Sequence, residues 1–387
     1  MISTFAISNY RSLRDLVVPL QRLNVVTGAN GSGKSSLYRA LRLLADTAQG
    51  RVVSSIAREG GLQSTLWAGP ETISRSMLQG DYPVQGTRRT QPIFLRLGFV
   101  GDEYGYLIDM GLPTPSASAF GQDPQIKREC IWHAPVLRPS TMLVDRDAPV
   151  VRIRAENNSW NVVTDRLSGF DSMMTHVSDP QRAPEMLILR ESIRDWRFYD
   201  HFRTDAEAPA RSPQVGTWTP VLGNDGSDLA AAIQTIDELG DGDLIDASVE
   251  DAFPGSRLSV TALEGRFALT MAQHGLLRPL GTAELSDGTL RYLLWIAALL
   301  TSRPPALMVL NEPETSLHPD LLPALARLIA KAAERTQVVV VTHAKPLISA
   351  LSEQEGCHSI LLEKTFGETR IVGSSKLGGP TWHWPSR

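Results

Sequence analysis

Apolar residues gather in short blocks near the start of the chain and again in its last third, with a weaker pattern between. Residues 2–8 predict a strand, residues 11–15 a loop, and residues 16–26 two further extended pieces, the second ending in the run Leu23-Asn24-Val25-Val26. Residues 37–44 then take helical spacing. Residues 49–92 are mixed, rich in Gly, Ser, Thr and Arg, and predict no definite element. Alternation returns in residues 93–99 and 104–110 about a glycine turn, and in residues 150–163 about Asn157-Asn158. Each predicts a hairpin, and together they predict an antiparallel sheet beside the segment joining Val26 to Leu37.

The middle predicts mainly helix. Met186-Leu187-Ile188-Leu189 predicts a buried strand and residues 190–202 a helix, while Leu229, Ile233, Ile236 and Leu239 mark one helical face that Pro254-Gly255 brings to an end. Residues 258–269 predict a third hairpin, turning at Glu264-Gly265. Beyond it come an apolar helix (293–300), a strand (306–310), a helix (319–334) and a strand (338–341). No internal repeat, low-complexity block or heptad run occurs, which excludes a long coiled coil.

The segment between the N-terminal strand and helix carries the first chemistry. Thr27-Gly28-Ala29-Asn30-Gly31-Ser32-Gly33-Lys34-Ser35-Ser36 matches G-x-x-x-x-G-K-[ST] in the strand, loop and helix context that this motif demands. Gly28, Gly31 and Gly33 let successive N–H groups converge on an anion, and the new helix adds the positive end of its dipole. Lys34 reaches the β- and γ-phosphates in such a loop, and Ser35 holds Mg²⁺. A glycine-rich turn with an incidental lysine is the bland alternative, and the spacing argues against it.

Three more motifs follow in order: Leu285-Ser286-Asp287-Gly288 opening an apolar helix, Asn311-Glu312-Pro313 closing an apolar strand, and Thr342-His343 closing another. Alone, Ser286 reads as a helix N-cap and His343 as a strand-end histidine. As a set, with the phosphate loop, they resemble the nucleotide-binding heads of ABC type, in the RecF, SMC and OLD-related branch. The resemblance covers roughly residues 1–45 and 280–365. It implies an α/β, P-loop NTPase fold of ABC-ATPase type: a mixed-sheet core, an antiparallel β subdomain and a helical insert. The domains implied are an N-terminal ATPase lobe (1–165), a helical insert (166–256) and a C-terminal lobe with the signature, Walker B and switch histidine (257–387).

By this resemblance the chain binds ATP and Mg²⁺ and is an ATPase. Glu312 is the base or orienter of the attacking water, His343 senses the γ-phosphate, and Lys34 completes the catalytic set. Nucleotide contacts fall to Arg11 (in Asn9-Tyr10-Arg11-Ser12, the early loop beside the base), Gly28, Asn30, Gly31, Ser32, Gly33, Lys34, Ser35 and Ser36. Ser286 and Gly288 serve the ATP of the opposite protomer, so two heads form a homodimer around two ATP molecules, with residues 316–319 at the seam. Ser35 and Asn311 face the metal. Asn311 departs from the family's aspartate; an amide keeps a hydrogen bond to a metal-bound water and loses the charge, so binding is better supported than fast hydrolysis. The family's glutamine loop has no clear match: Gln63 lies early, and the stretch before Arg190-Glu191 lacks a glutamine.

Composition narrows the class. At 387 residues, with 42% hydrophobic and 21% charged, the chain is long enough for a large core, and a formal charge of −4 gives no global reason to expect nucleic acid. Two cysteines, Cys130 and Cys357, fit a reducing cytoplasm, and no signal peptide or membrane span is expected. Residues 194–203 interleave aromatic and basic side chains, for which packing is a better reading than a nucleic-acid surface. Cys130-Ile131-Trp132-His133 lacks a second ligand pair for zinc. An OLD-type Toprim nuclease domain needs on the order of 100 residues. Only 44 follow His343, so a nuclease or Toprim-like effector is expected as a separate partner. The resulting expectation is a cytoplasmic, dimerising ATPase switch in DNA maintenance or repair, or in anti-phage defence. A non-hydrolysing ATP-gated scaffold, a direct DNA-binding repair factor and a transporter ATPase subunit are the rivals; the last is disfavoured by Asp287-Gly288-Thr289 and Arg291 where transporters carry Gly-Gly-Gln.

Overall fold

The computed structural model describes residues 1–71, 92–115, 117–177, 179–373 and 381–385. The chain divides into two units: Met1–Gln21, Gly28–Asp195 and Ile360–Arg387 form the first, Arg22–Thr27 and Trp196–Ser359 the second. The expected boundary at 165/166 falls inside the first unit and that at 256/257 inside the second.

The first unit is built on an antiparallel sheet of β1 (Ile2–Tyr10), β2 (Leu13–Pro19), β4 (Phe94–Gly101), β5 (Tyr104–Gly111), β6 (Gln125–His133), β7 (Met142–Asp147), β8 (Val150–Arg154) and β9 (Trp160–Thr164), in the order β2-β1-β4-β5-β6-β7-β8-β9. Leu95, Leu97 and Phe99, two residues apart, are all buried, as one face of a half-covered strand requires. Helix α1 (Lys34–Thr47) packs on β1 and β4 and buries Leu37, Leu41 and Leu44. Within the sheet, fully buried Glu129 accepts from Arg146 (2.6 Å), Tyr106 (2.7 Å), Ser172 (2.5 Å) and the Met173 N–H (2.8 Å), so its charge is fully partnered. The unit also holds α2 (Val52–Arg58), α3 (Pro184–Arg194) and, from Ile360 onward, the hairpin of β17 (Cys357–Thr365) and β18 (Glu368–Ile371), paired from Leu362↔Ile371 to Thr365↔Glu368.

In the second unit, β10 (Arg197–Tyr199), β15 (Leu307–Asn311), β16 (Gln337–Val341) and β3 (Leu23–Gly28) lie parallel in that order. Every residue of β16 is buried; a continuous valine run suits a strand covered on both faces. A smaller antiparallel group joins β11 (Gln214–Val215), β12 (Arg257–Leu263), β13 (Arg266–Ala272) and β14 (Leu280–Gly281). Helices α4 (Leu229–Ile236), α5 (Gly242–Ala252), α6 (Asp287–Leu299), α7 (Leu322–Ala333) and α8 (Lys345–Ser352) complete it. Its core includes Tyr199, Phe202 and Trp295, the last two with ring centroids 4.9 Å apart.

Several expectations need correction. The loop of residues 11–15 is only a turn, because β2 already starts at Leu13. Met186–Leu189 is helix, not strand: α3 starts at Pro184, buries Met186, Leu189 and Ile193, and leaves Ile188 53% exposed. The helix expected over 190–202 ends at Arg194; β10 follows, and Trp196, Phe198, Tyr199 and Phe202 are buried, so the aromatics pack. Leu239 lies past α4 and is exposed. Strands β6 and β7 had no sequence expectation. Of residues 49–92, 72–91 lie outside the described residues.

Candidate functional site

The phosphate loop continues directly from β3. Gly28, Gly31 and Gly33 have φ of 149°, 79° and 109°, conformations that side-chain-bearing residues rarely adopt. A Cβ on Gly28 would run into the Leu362 carbonyl oxygen, and one on Gly33 into the Thr369 side chain. Gly33 also caps α1 without a side-chain hydrogen bond, which leaves the first-turn N–H groups to an incoming anion. Lys34, 7% exposed, folds its ammonium back onto Gly28 O (2.7 Å) and Ala29 O (3.0 Å). The buried Ser32 Oγ has no hydrogen-bond partner among the described residues. A cradle closed to a Cβ at Gly28 and at Gly33, an orphaned hydroxyl and a buried lysine fit a polyphosphate. Asn30 and Ser35 are exposed and Ser36 half-buried beside them.

The turn before the loop is tied to it. Thr369 Oγ1 lies 2.8 Å from both Ser12 Oγ and Ser32 O, and Thr369 N–H donates to Ser12 O at 2.8 Å. Arg11, at φ 49°, is engaged by Glu59 at 2.6 Å, and Tyr10 also donates to Glu59. Burial, then Glu59, pushes the Tyr10 phenol up.

In the second unit, strand ends bring the acidic and histidine motifs together. Asn311 pairs with Val341, and Val341 with Val26, so β15, β16 and β3 end side by side. The next residues continue the alignment: Glu312 N–H donates to Val341 O (2.8 Å), and Thr342 N–H to Val26 O (3.1 Å). Glu312, at φ 49°, places Oε1 3.4 Å from His343 Nδ1. Both side chains are half exposed, open to a ligand. Glu314, which had no assigned role in the sequence, lies 3.6 Å from the same nitrogen and is 8% exposed. Asn311, half-buried at the end of β15, offers an amide oxygen, a donor type that suits Mg²⁺; the Ser35 hydroxyl of the first unit is a donor of the same type.

The signature stands at the start of α6. Ser286 is its N-cap, exposed, with Oγ accepting from the Thr289 N–H at 3.1 Å. A Cβ on Gly288 would lie 3.1 Å from Ser316 O, so the helix start rests closely on the turn after Glu312. Two further bonds fix that packing: Arg291 donates to Thr315 O (2.8 Å) and Trp295 to Pro313 O (3.1 Å). Arg211 buttresses the loop before the helix, donating to Leu285 O (2.9 Å), Thr282 O (3.1 Å) and Asp287 (2.6 Å). Motif reading misses Thr369 and Arg211 because neither belongs to a motif, and it gives no role to Glu314, although that residue lies in the run Asn311-Glu312-Pro313-Glu314.

Comparison with known proteins gives two family matches. A family described as "AAA domain, putative AbiEii toxin, Type IV TA system" matches residues 145–350, and one described as "AAA ATPase domain" matches residues 1–80. Among solved structures, an SmcHead bound to the C-winged helix domain of ScpA aligns over 96% of this chain and 97% of its own, at 12% identity and a TM-score of 0.50. The SMC head domain from Thermotoga maritima aligns over 97% and 99%, at 14% and 0.41. An Smc head with an extended coiled coil, bound to the C-terminal domain of ScpA derived from Pyrococcus furiosus, aligns over 96% and 95%, at 12% and 0.45. No curated protein matches the chain.

Proposed function

We propose a function for a chain that belongs to the AAA-domain family matched over residues 145–350 and has the α/β fold of an SMC-type ATPase head: it binds and hydrolyses Mg-ATP and closes as a homodimer around two ATP molecules. The observation that carries this reading is the alignment of the ends of β3, β16 and β15 in the second unit, after which the phosphate loop, Thr342-His343 and Asn311-Glu312 respectively follow along the chain. Phosphoryl transfer asks mainly for positioning and charge stabilisation, which such an edge can supply. The N–H groups of Gly31, Gly33, Lys34, Ser35 and Ser36 cradle phosphate, and Lys34 exchanges its loop carbonyls for phosphate oxygens. Ser35 of the first unit and Asn311 of the second are the oxygen donors that would hold Mg²⁺, which would supply neutralisation of phosphate charge. Glu312 orients the attacking water, His343 contacts the γ-phosphate, and Ser286 with Gly288 serves the ATP of the second copy. Arg11, held by Glu59, shapes the loop beside the base.

As a cytoplasmic switch, such a head acts through a separate effector in DNA maintenance or anti-phage defence. The family description names a Type IV toxin–antitoxin system, and the SmcHead neighbour was solved with a winged-helix partner; both support partner docking. Among the described residues no helix is long and apolar enough to cross a membrane. Asn311 supports a second reading, an ATP-gated scaffold without turnover, because the amide withholds the usual charge from the metal.

Steady-state ATP turnover with Mg²⁺, measured beside Glu312→Gln while dimerisation is followed by light scattering, separates the two readings. The hydrolytic reading expects turnover to fall at least about a hundredfold in Glu312→Gln and ATP-bound dimers to accumulate. ATP-dependent dimers with no turnover in either protein would replace it with the scaffold. Absence of nucleotide binding would overturn both.

A further inference from the structure

We infer that Glu314 is a positioning residue for His343, the carboxylate that holds the imidazole Nδ1 when Glu312 leaves it for the attacking water. The inference deepens the proposed function and rests on it. His343 Nδ1 stands between two carboxylates of different character, 3.4 Å from Glu312 and 3.6 Å from Glu314. Glu312 is 44% exposed, and apart from the His343 contact its ties among the described residues are backbone ones, to Val341 O and from the Thr315 N–H. Glu314 is fixed. Its Oε1 accepts from Thr342 Oγ1 at 2.6 Å and from the His343 N–H at 3.4 Å, and its carbonyl accepts from the Leu317 N–H at 3.0 Å. The residues on either side are anchored to α6 through Trp295 and Arg291. A half-exposed carboxylate and a buried, hydrogen-bonded one therefore share one ring nitrogen.

The second oxygen of Glu314 makes it more than a bracket. Oε2 is buried and accepts no hydrogen bond among the described residues, an arrangement that costs free energy unless a donor arrives. Once Glu312 swings toward water, the carboxylate oxygen left within reach of Nδ1 is Glu314 Oε1, at 3.6 Å, on a carboxylate whose Oε2 still lacks a donor. Holding Nδ1 at a carboxylate fixes the ring direction and leaves Nε2 as the nitrogen that faces a ligand. A ring that donates from Nε2 to phosphate while Nδ1 stays at a carboxylate carries both protons. Without Glu314, His343 would turn just as Glu312 became occupied, and the γ-phosphate contact would be lost.

Proton occupancy at Nδ1 can be read from ¹⁵N-histidine spectra, with the His343 signal assigned by its absence in His343→Gln. At about pH 8, above the ordinary histidine value, nucleotide-free wild type, Glu312→Ala and Glu314→Gln should all keep Nδ1 protonated, while Glu312→Ala/Glu314→Ala should lose it. Loss in Glu312→Ala alone would overturn the handover, as would retention in the double variant. These spectra need no nucleotide, so they stand even if the protein proves not to hydrolyse ATP. In turnover, Glu314→Ala should lower kcat by about ten- to a hundredfold with KM within about threefold, and Glu314→Gln should recover much of it because its amide oxygen still accepts. Wild-type kcat in a folded Glu314→Ala would reduce Glu314 to packing.

Discussion

At the scale of single residues, the phosphate loop separates backbone strain from steric exclusion. Gly31 and Gly33 both have positive φ, but a Cβ on Gly31 meets nothing within 4 Å, whereas one on Gly33 meets Thr369. Gly31→Ala therefore bears only conformational strain, roughly 1–2 kcal/mol. Gly33→Ala must also displace Thr369 and with it the links to Ser12 and Ser32. Fluorescent-nucleotide titration should show Gly33→Ala binding ATP at least about tenfold more weakly than Gly31→Ala, with both folded by circular dichroism. Equal affinities would mean that Thr369 does not shape the cradle. The glycines and Lys34 were legible in the sequence because a motif fixes their spacing. Thr369 was not, because it acts from more than 330 positions away through its hydroxyl.

Among the elements, legibility followed the period of the pattern. The valine run of β16 is apolar at every position and reads as a buried strand; hairpins with clear alternation, such as β4–β5 and β12–β13, also fell where expected. Met186-Leu187-Ile188-Leu189 has four apolar residues and no period, so nothing in it distinguishes a strand from the helix that Pro184 starts. Arg211 was equally invisible: its fork to the backbone before α6 exists only in three dimensions. That fork predicts an effect confined to the signature. Arg211→Lys cannot reproduce several directed N–H bonds from one ammonium. In the Glu312→Gln background, sedimentation should show ATP-dependent dimerisation weakened by about tenfold, with ATP affinity of the monomer within about twofold of its parent. A parallel loss of nucleotide affinity would place the effect in general destabilisation instead.

For the whole molecule, the decisive question is whether one ATP is served by two chains. The phosphate loop and the signature start from opposite places in the sequence, and Ser286 is exposed at the head of α6 with its hydroxyl turned to its own first helical turn. Nothing in a single chain requires that exposure; a second copy laying its loop-bound nucleotide against Ser286 would use it. Two variants that are each inactive test this directly. Ser286→Arg blocks the signature and leaves the phosphate loop intact, while Lys34→Ala weakens the loop and leaves the signature intact. A mixed dimer restores one complete site, built from the Ser286→Arg loop and the Lys34→Ala signature, and ruins the other. Random pairing of equal amounts should therefore recover up to about a quarter of wild-type turnover, set by half the dimers carrying one working site of two. Each variant alone should remain near background. If the mixture is no more active than its parts while both variants stay folded and Ser286→Arg still binds ATP, the nucleotide is served within one chain and the sandwich dimer is wrong.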